Sequence, residues 1–263
     1  MPRLAANLSF LFPDAPFLER VDRAAAAGFR GVESMYPEDV APAALTARLA
    51  DSGMQWVLLN TPAGDFAAGE RGLAALPGQE GRFREAMRAA LDLAGGLQAG
   101  LIHVMAGIPP DGADPAACRH TFCENLTWAA AQARPRGIVL TIEPINRRDM
   151  PGYFLWQVGQ AVQILDDLSL PNVRLQFDIY HAQVEGGDVA SRMAAALPHV
   201  GHVQIANPPG RHGPGDGELD LPWLLRELDR LGYDGWVGCE YRPAGPTEGG
   251  LAWARPFGIH PAG

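Results

Sequence analysis

The sequence of 263 residues predicts a (β/α)8 barrel, the TIM barrel, formed as a single domain over residues 1–263. Apolar, β-rich runs alternate with amphipathic segments along the whole chain, with one unit about every 30 residues. Eight such units are present, and a barrel of this kind takes roughly 250 residues. The glycine fingerprint of dinucleotide-binding open sheets, G-x-G-x-x-G after the first strand, is absent. A closed parallel barrel is therefore favoured over an open sheet.

Each strand is predicted from an apolar run that is bounded by turn-forming residues. The predicted strands cover residues 4–10, 31–36, 55–60, 101–107, 138–145, 173–181, 202–207 and 236–241. Amphipathic helices are predicted between them, for example over residues 17–29, 44–53 and 221–232. Gly28, Gly53 and Gly232 lie at the ends of these segments, where a left-handed C-cap is expected.

The connection between the third strand and the third helix, residues 61–79, is the one long loop of the chain. Loops of this length in compact domains are usually lids or binding loops. A loop that follows a strand lies on the C-terminal face of a barrel, where active sites are found. Glu70 and Arg71 are therefore predicted to reach over a bound substrate. An insertion without function is the alternative.

The formal net charge is −9, from 21 basic and 30 acidic side chains. Nucleic-acid binding requires a basic surface, so this balance argues against it, and it also argues against binding to acidic lipid. No run reaches the roughly 18 apolar residues that cross a bilayer, and the N-terminus lacks a cleavage site, so a cytoplasmic protein is expected. The three cysteines lack paired spacing, which argues against a disulfide framework. A small anionic substrate is compatible with the net charge. The sequence is compatible with a monomer and with a homo-oligomer.

Polar side chains stand at the ends of strands five to eight, where each apolar run stops. They are Glu143, Asp178, Gln204 and Glu240. Period-two alternation places Ile142 and Cys239 on the opposite face, so the carboxyl groups point toward the C-terminal mouth. Converging carboxylates repel one another unless they are protonated, paired with basic groups or bound to a cation. A divalent cation is the simplest remedy, and the oxygen ligands favour Mg²⁺ or Mn²⁺ over Zn²⁺.

Several segments carry a resemblance to a known family. The most specific are the long loop, PAGDFAAGERGLAALPG (62–78), and the last strand, GWVGCEY (235–241). The others are AANLSFLF (5–12), GFRGVE (28–33), IEPIN (142–146), FDIYHAQ (177–183), HVQIA (202–206) and PGDGEL (214–219). Together they resemble the hydroxypyruvate isomerase family, which belongs to the xylose-isomerase-like barrels. That group also holds ketose 3-epimerases and an apurinic endonuclease branch, and the resemblance covers nearly the whole chain.

The resemblance implies roles for the polar residues. Glu143, Asp178, Gln204 and Glu240 would bind the metal, and Glu143 and Glu240 would also exchange protons with the substrate. His181 and Arg211 match positions that contact substrate in the related epimerases. The implied reaction interconverts hydroxypyruvate and tartronate semialdehyde (2-hydroxy-3-oxopropanoate), as in glyoxylate and carbohydrate metabolism. It would pass through an ene-diolate whose charge a cation stabilises, with the two glutamates as base and conjugate acid.

Three further assignments depend on the substrate, a small anionic hydroxy-oxo acid. Its carboxylate requires a cationic partner, for which Arg211 and, in the long loop, Arg71 are the candidates. His181 is expected to hydrogen-bond a substrate oxygen or a metal-bound water, or else to brace Asp178. His103 ends the fourth strand and either faces the site or is an ordinary core histidine.

Rival functions share the barrel. A 2-oxo-tetronate isomerase or a ketose 3-epimerase would use the same chemistry in a pocket of different size. An apurinic endonuclease requires a histidine cluster for zinc and a basic face, which seven histidines and a charge of −9 do not suit. A barrel that only binds a partner would have no use for converging carboxylates, which are costly to bury. Proton transfer is favoured over a hydride shift on family grounds, though the residues allow both.

Overall fold

The computed structural model describes residues 2–260. Its eight strands are parallel and hydrogen-bond in chain order, and the last pairs with the first to close a barrel. The predicted (β/α)8 barrel is therefore confirmed. The strands are β1 (Arg3–Asn7), β2 (Gly31–Ser34), β3 (Gln55–Asn60), β4 (Leu101–His103), β5 (Val139–Ile142), β6 (Val173–Asp178), β7 (Val200–Ile205) and β8 (Trp236–Cys239). The helices are α1 (Phe17–Ala26), α2 (Pro42–Ser52), α3 (Glu80–Leu97), α4 (Pro115–Ala133), α5 (Val158–Leu168), α6 (Ile179–Gly186), α7 (Val189–Ala196) and α8 (Leu221–Arg230).

Most strands end earlier than the sequence predicts, and β6 shows the reason. The prediction carries this strand to residue 181, whereas it ends at Asp178. The Asp178 side chain accepts hydrogen bonds from the backbone N–H groups of Tyr180 (2.7 Å) and His181 (3.4 Å), and so begins helix α6 directly. Asp178, at the mouth of the barrel, thus ends the strand and begins the helix. His181 consequently lies in the first turn of a helix and not on the strand.

The helices pack on the sheet through one continuous apolar core, in which Trp56, Phe83 and Phe122 are fully buried. Helix ends follow the predicted signals closely. Gly53 has a φ of 66° at the C-cap of α2, a left-handed conformation that glycine adopts without strain. At the other end of a helix, Asp220 caps α8 by accepting from the Trp223 N–H at 2.9 Å. These local stop and start signals set the lengths of the connecting loops.

The long loop, residues 61–79, folds in two parts between β3 and α3. Residues 73–76 are buried, and Gly72 pairs with Ala106 in an isolated bridge beyond the end of β4. A Cβ atom on Gly72 would lie 2.4 Å from the carbonyl oxygen of Met105, so only glycine allows this approach. The buried part anchors the loop. The part before it carries Phe66 and Arg71 to the wall of a cavity at the mouth of the barrel.

Two other sequence expectations can be compared with the structure. The three cysteines are free; Cys118 and Cys239 are buried, and Cys123 is partly exposed. Among the helices within residues 2–260, none combines the length and the apolar character that a membrane crossing requires.

Candidate active site

A cavity of about 460 Å³ opens where the C-terminal ends of the strands meet. The strand ends supply Asn60, His103, Glu143 and Glu240 to its wall. The other lining residues come from the loops and from α6, and they are Phe10, Met35, Phe66, Arg71, Met105, Ile145, Asp149, Met150, Tyr180, His181, Pro209, Gly210, Arg211 and Arg242. The wall is therefore part apolar and part strongly charged, as in small-molecule sites.

Three acidic side chains converge at the mouth of the barrel; Glu143 and Glu240 line the cavity, and Asp178 lies beside them outside its wall. Glu143, Asp178 and Glu240 are 5%, 2% and 9% exposed. One ligand atom each of Glu143, Asp178 and His181 lies within 4.8 Å of the others, a spacing that a single cation can bridge. Glu143 Oε1 is buried and has no hydrogen-bond partner within the described part of the chain. An orphaned carboxylate oxygen in such a cluster fits a cation ligand, because an unpaired buried charge is otherwise costly.

The two glutamates titrate far from their ordinary range. Burial raises the pKa of Glu143 well above 4.5, and the nearby Glu240 and Asp178 charges raise it further. Burial likewise raises the pKa of Glu240 to about 8, although Arg211 opposes the shift. Two carboxyl groups that share one buried site cannot both be ionised without compensation. Glu240 is thus able to hold a proton near neutral pH, and the pKa of Glu143 is shifted in the same direction.

Arg211 supplies the compensating charge. Its Nη2 donates to Asp178 Oδ2 at 3.0 Å and also hydrogen-bonds the Glu240 carboxylate, while its Nε donates to the Glu240 carbonyl oxygen at 3.1 Å. Burial alone lowers the pKa of this guanidinium, but the surrounding acids raise it overall, so Arg211 stays charged. The guanidinium also lies over the ring of Tyr180, 4.8 Å from its centroid.

Two histidines face the acids. His181 Nε2 lies 3.0 Å from Arg211 Nη1 and 3.6 Å from Asp178 Oδ2, and its Nδ1 lies 2.6 Å from the Asn146 amide nitrogen. His103 Nδ1 lies 3.5 Å from Glu143 Oε2, and neither of its ring nitrogens has a hydrogen bond among residues 2–260. Burial lowers the pKa of His181 to about 4 and that of His103 to about 3. Both rings are therefore neutral at pH 7.

Gln204 lies next to Asp178 in the register of β6 and β7, but its side chain does not line the cavity. Its amide is 2% exposed and is held by two hydrogen bonds. Oε1 accepts from Gln176 at 2.7 Å, and Nε2 donates to the Glu33 carboxylate at 2.8 Å. Gln204 thus lies beside the acidic cluster, and these two hydrogen bonds already fix the orientation of its side-chain amide.

The structure separates the two residues of the long loop that the sequence analysis paired. Arg71 lines the cavity, stacks on the Phe66 ring at 3.7 Å and donates to the carbonyl oxygen of Phe66 at 3.0 Å. Glu70 does not reach the cavity. Its carboxylate points back to helix α3 and accepts two hydrogen bonds from Arg82, at 2.8 and 2.6 Å. The ion pair with Arg82 is the physical reason why Glu70 points away from the cavity in this structure.

Sequence analysis missed several wall residues. Asn60 ends β3 after an apolar run, so the rule that identified Glu143 and Glu240 applies to it equally. Tyr180 and Asp149 also line the cavity, and the Tyr180 hydroxyl donates to Asp149 at 2.5 Å. Arg242 lies two residues beyond Glu240 and also lines the cavity. For Asp149 no signal was available, because it sits in an irregular loop far along the chain from its partner.

Comparison with known proteins shows the family of the whole chain. The model of the xylose isomerase-like TIM barrel family matches residues 21–257. The chain is 49% identical to a 2-oxo-tetronate isomerase from Cupriavidus necator, over 98% of this chain and 99% of that protein. It is 42% identical to the hydroxypyruvate isomerase of Escherichia coli K12, over 98% of this chain and 100% of that protein. These relatives confirm the expectation of an isomerase.

Solved structures agree with the fold. A crystal structure from Brucella melitensis described as AP endonuclease, family 2, superposes with a TM-score of 0.95 at 46% identity, and the match covers 98% of this chain and 99% of that one. A D-allulose 3-epimerase from a Methylomonas species is 20% identical and superposes with a TM-score of 0.74. The match covers 98% of this chain and 90% of that one, and the two share the fold. This chain belongs to the xylose isomerase-like TIM barrel family.

Proposed function

We propose that the protein is a metal-dependent isomerase of short hydroxy-oxo acids and that it interconverts hydroxypyruvate and tartronate semialdehyde. The observation that carries this proposal is the pair of buried glutamates, Glu143 and Glu240, on the wall of one cavity. Their raised pKa values suit groups that take up and return a proton near neutral pH. The named relatives support the same chemical class.

We propose Glu143, Asp178, Gln204 and Glu240 as the ligands of a Mg²⁺ or Mn²⁺ ion. The donor set is made of carboxylate and amide oxygens, which are hard ligands. The orphaned Glu143 Oε1 and the 4.8 Å cluster around it support a cation at this place. Such an ion would act as a Lewis acid and stabilise the negative charge that develops on two adjacent substrate oxygens.

Proton transfer would be carried out by the two glutamates. One carboxylate would remove a proton from the hydroxyl-bearing carbon next to the substrate carbonyl, and the other group, protonated, would donate a proton to the former carbonyl carbon. The hydroxyl proton would pass to the former carbonyl oxygen, so that a carbonyl forms at the first carbon and a hydroxyl at the second. Burial raises the pKa of both glutamates, and that of Glu240 to about 8, which suits exchange of a proton near neutral pH. Neutral His181 and His103, which line the same cavity, are placed to hydrogen-bond substrate oxygens.

The substrate carboxylate would be bound by an arginine, because a guanidinium pairs with a carboxylate through two parallel hydrogen bonds. Arg211 is the first candidate and Arg71, on the long loop, the second; both line the cavity. Arg211 already contacts Asp178 and Glu240, so it would bridge substrate and cluster. The net charge of −9 and the acidic cavity base favour a small substrate over nucleic acid.

A four-carbon 2-oxo-tetronate is a second candidate substrate, which a specific observation favours. The cavity of about 460 Å³ adjoins another of about 450 Å³, and the two share Met35, Asn60, Phe66 and Met105. This adjoining space has room for the additional CHOH group of a four-carbon acid. The relative at 49% identity is a 2-oxo-tetronate isomerase.

The test is proton NMR of hydroxypyruvate and of a 2-oxo-tetronate in D₂O with the protein, with and without Mg²⁺ or Mn²⁺. Metal-dependent conversion with deuterium on carbon would support isomerisation by proton transfer, and conversion without deuterium would indicate a hydride shift. The Glu240→Gln variant corrects for spontaneous tautomerisation. Cleavage of abasic DNA without any conversion of either acid would overturn the proposal.

A further inference from the structure

A buried polar cluster lies inside the barrel, outside the wall of the cavity. The carboxylate of Glu33 on β2 is 0% exposed. Its Oε1 accepts hydrogen bonds from Asn7 Nδ2 at 3.0 Å and from Gln204 Nε2 at 2.8 Å. Its Oε2 lies 2.7 Å from His202 Nε2. Three nitrogen donors from β1 and β7 therefore converge on one acceptor, and none of the steps proposed above uses it.

The hydrogen bonds continue from this carboxylate as a directed chain. Gln204 Oε1 accepts from Gln176 Nε2 at 2.7 Å, and Gln176 Oε1 accepts from the Thr141 hydroxyl at 2.8 Å. The two ends of a glutamine amide have nearly the same shape, so only its partners decide which end points where. A carboxylate has no N–H group and can only accept. Glu33 lies at one end of this series of hydrogen bonds and thereby sets the orientation of the Gln204 and Gln176 amides.

The barrel makes room for this carboxylate at a specific position. A Cβ atom on Gly238 would lie 2.1 Å from Glu33 Oε1 and 2.5 Å from its Oε2. Strand β8, which pairs with β1 and β7, therefore leaves room for this carboxylate by having glycine two residues before Glu240. A buried carboxylate costs free energy that an apolar side chain would not. Packing alone does not explain why the barrel interior keeps both the acid and the space for it.

We propose that Glu33 is a positioning residue for the metal centre. Its carboxylate accepts a hydrogen bond from the amide nitrogen of Gln204, and this bond directs Gln204 Oε1 away from Glu33. Oε1 is the only atom of that amide that can bind a cation. This inference rests on the proposed function, in which Gln204 is a metal ligand. One acceptor position of Oε1 is used by Gln176, and the other stays available. Partners of this kind fix the orientation of a ligand without touching the metal.

The test is Mn²⁺ binding to the Glu33→Gln variant, followed by the electron paramagnetic resonance signal of free Mn²⁺. An amide offers one oxygen to three donors, so the Gln204 amide loses its fixed direction. We expect the dissociation constant to rise about 10- to 100-fold. Thr141→Val is the matched control, because it breaks the other end of the same buried chain and leaves Glu33 in place. It should bind Mn²⁺ like the wild type, even if its melting temperature falls.

A second variant covers the case in which Glu33→Gln does not fold. In the double variant Glu33→Gln/Gln204→Glu, the amide at position 33 donates to the carboxylate at position 204, so the direction of the hydrogen bond is reversed. Position 204 then again has an oxygen ligand with a fixed orientation. We expect it to bind Mn²⁺ at least as tightly as the wild type. A folded Glu33→Gln protein with wild-type affinity overturns the positioning role alone, and so does a folded double variant that binds Mn²⁺ more weakly than the wild type. A wild-type protein that binds neither Mn²⁺ nor Mg²⁺ overturns the proposed metal centre together with it.

Discussion

Arg211 Nη2 lies 3.0 Å from Asp178 Oδ2, in a cavity base where the carboxyl groups would otherwise repel one another. The same guanidinium contacts Glu240, so one positive charge holds two of the proposed metal ligands. A divalent cation and Arg211 would therefore compete for the same oxygens. This relationship makes Arg211 both the expected partner of the substrate carboxylate and an internal counter-ion of the acidic cluster.

The first prediction concerns Arg211→Ala. We expect KM for hydroxypyruvate to rise far more than KM for a neutral ketose, because only the acid loses a carboxylate partner. The unfolding free energy of the metal-free protein should fall by about 3–5 kcal/mol, since removing one partner leaves buried charges unpaired. Steady-state kinetics and denaturant unfolding in EDTA measure the two effects. Equal KM losses for both substrates would show that Arg211 does not bind the carboxylate.

Much of this site could be predicted because one local rule applies to it. An apolar run that stops at a polar residue marks a strand end, and parallel strand ends meet at one face of a barrel. This rule brings Glu143 and Glu240 to the cavity wall from sequence alone. The alternation of strands and helices predicts the barrel in the same way, since each element leaves its own periodicity in the chain.

The remaining features depend on distances that the sequence does not carry. Glu70 and Arg71 are adjacent, yet one pairs with Arg82 and the other lines the cavity. Which side chain turns inward follows from how the second half of the loop is anchored at Gly72. The hydrogen bond between Glu33 and Gln204 joins residues 171 positions apart. It depends on how strands β2 and β7 face each other across the barrel, a consequence of strand tilt and stagger.

The second prediction concerns the two glutamates. Glu143→Gln and Glu240→Gln should each lower kcat by at least about 10²–10⁴-fold, the usual contribution of a positioned acid or base. Melting temperatures should stay the same or rise, because glutamine keeps the shape of the side chain and cannot ionise in this buried site. Glu70→Gln is the control, since its carboxylate pairs with Arg82 away from the cavity. Turnover near the wild-type rate in either active-site variant would exclude the two-glutamate mechanism.

The third prediction is the pH dependence of stability without metal. Burial raises the pKa of Glu240 from 4.5 to about 8, so between these values the folded protein keeps a proton that the unfolded chain releases. The stability that this group contributes is therefore fully present below pH 4.5 and is lost as pH rises through about 8. Each unit of pKa shift corresponds to about 1.4 kcal/mol. Mg²⁺ should reduce the loss, because it binds the ionised form.

The measurement is urea unfolding of the wild type and of Glu240→Gln from pH 5 to 8, in EDTA and in Mg²⁺. His181 and His103, whose pKa values are lowered by burial, act in the opposite sense below pH 6.5. Their contribution cancels when the two proteins are compared. In EDTA the wild type should lose stability relative to the variant as pH rises. Parallel curves would mean that Glu240 does not hold a proton in the folded state.

The fourth prediction concerns the anchor of the long loop. Gly72 has a φ of 113°, and an added Cβ atom would lie 2.4 Å from Met105 O, so Gly72→Ala must displace the loop. We expect a loss of about 1–3 kcal/mol in unfolding free energy from this combination of strain and overpacking. Because Phe66 and Arg71 would move with the loop, KM should rise more than kcat falls. Gly69→Ala is the matched control: it has a φ of 94° in the same loop, and nothing lies within 4 Å of its added Cβ. If the two variants lose the same stability and show the same KM, the contact with Met105 does not anchor the loop, and the wall formed by Phe66 and Arg71 is held by other contacts.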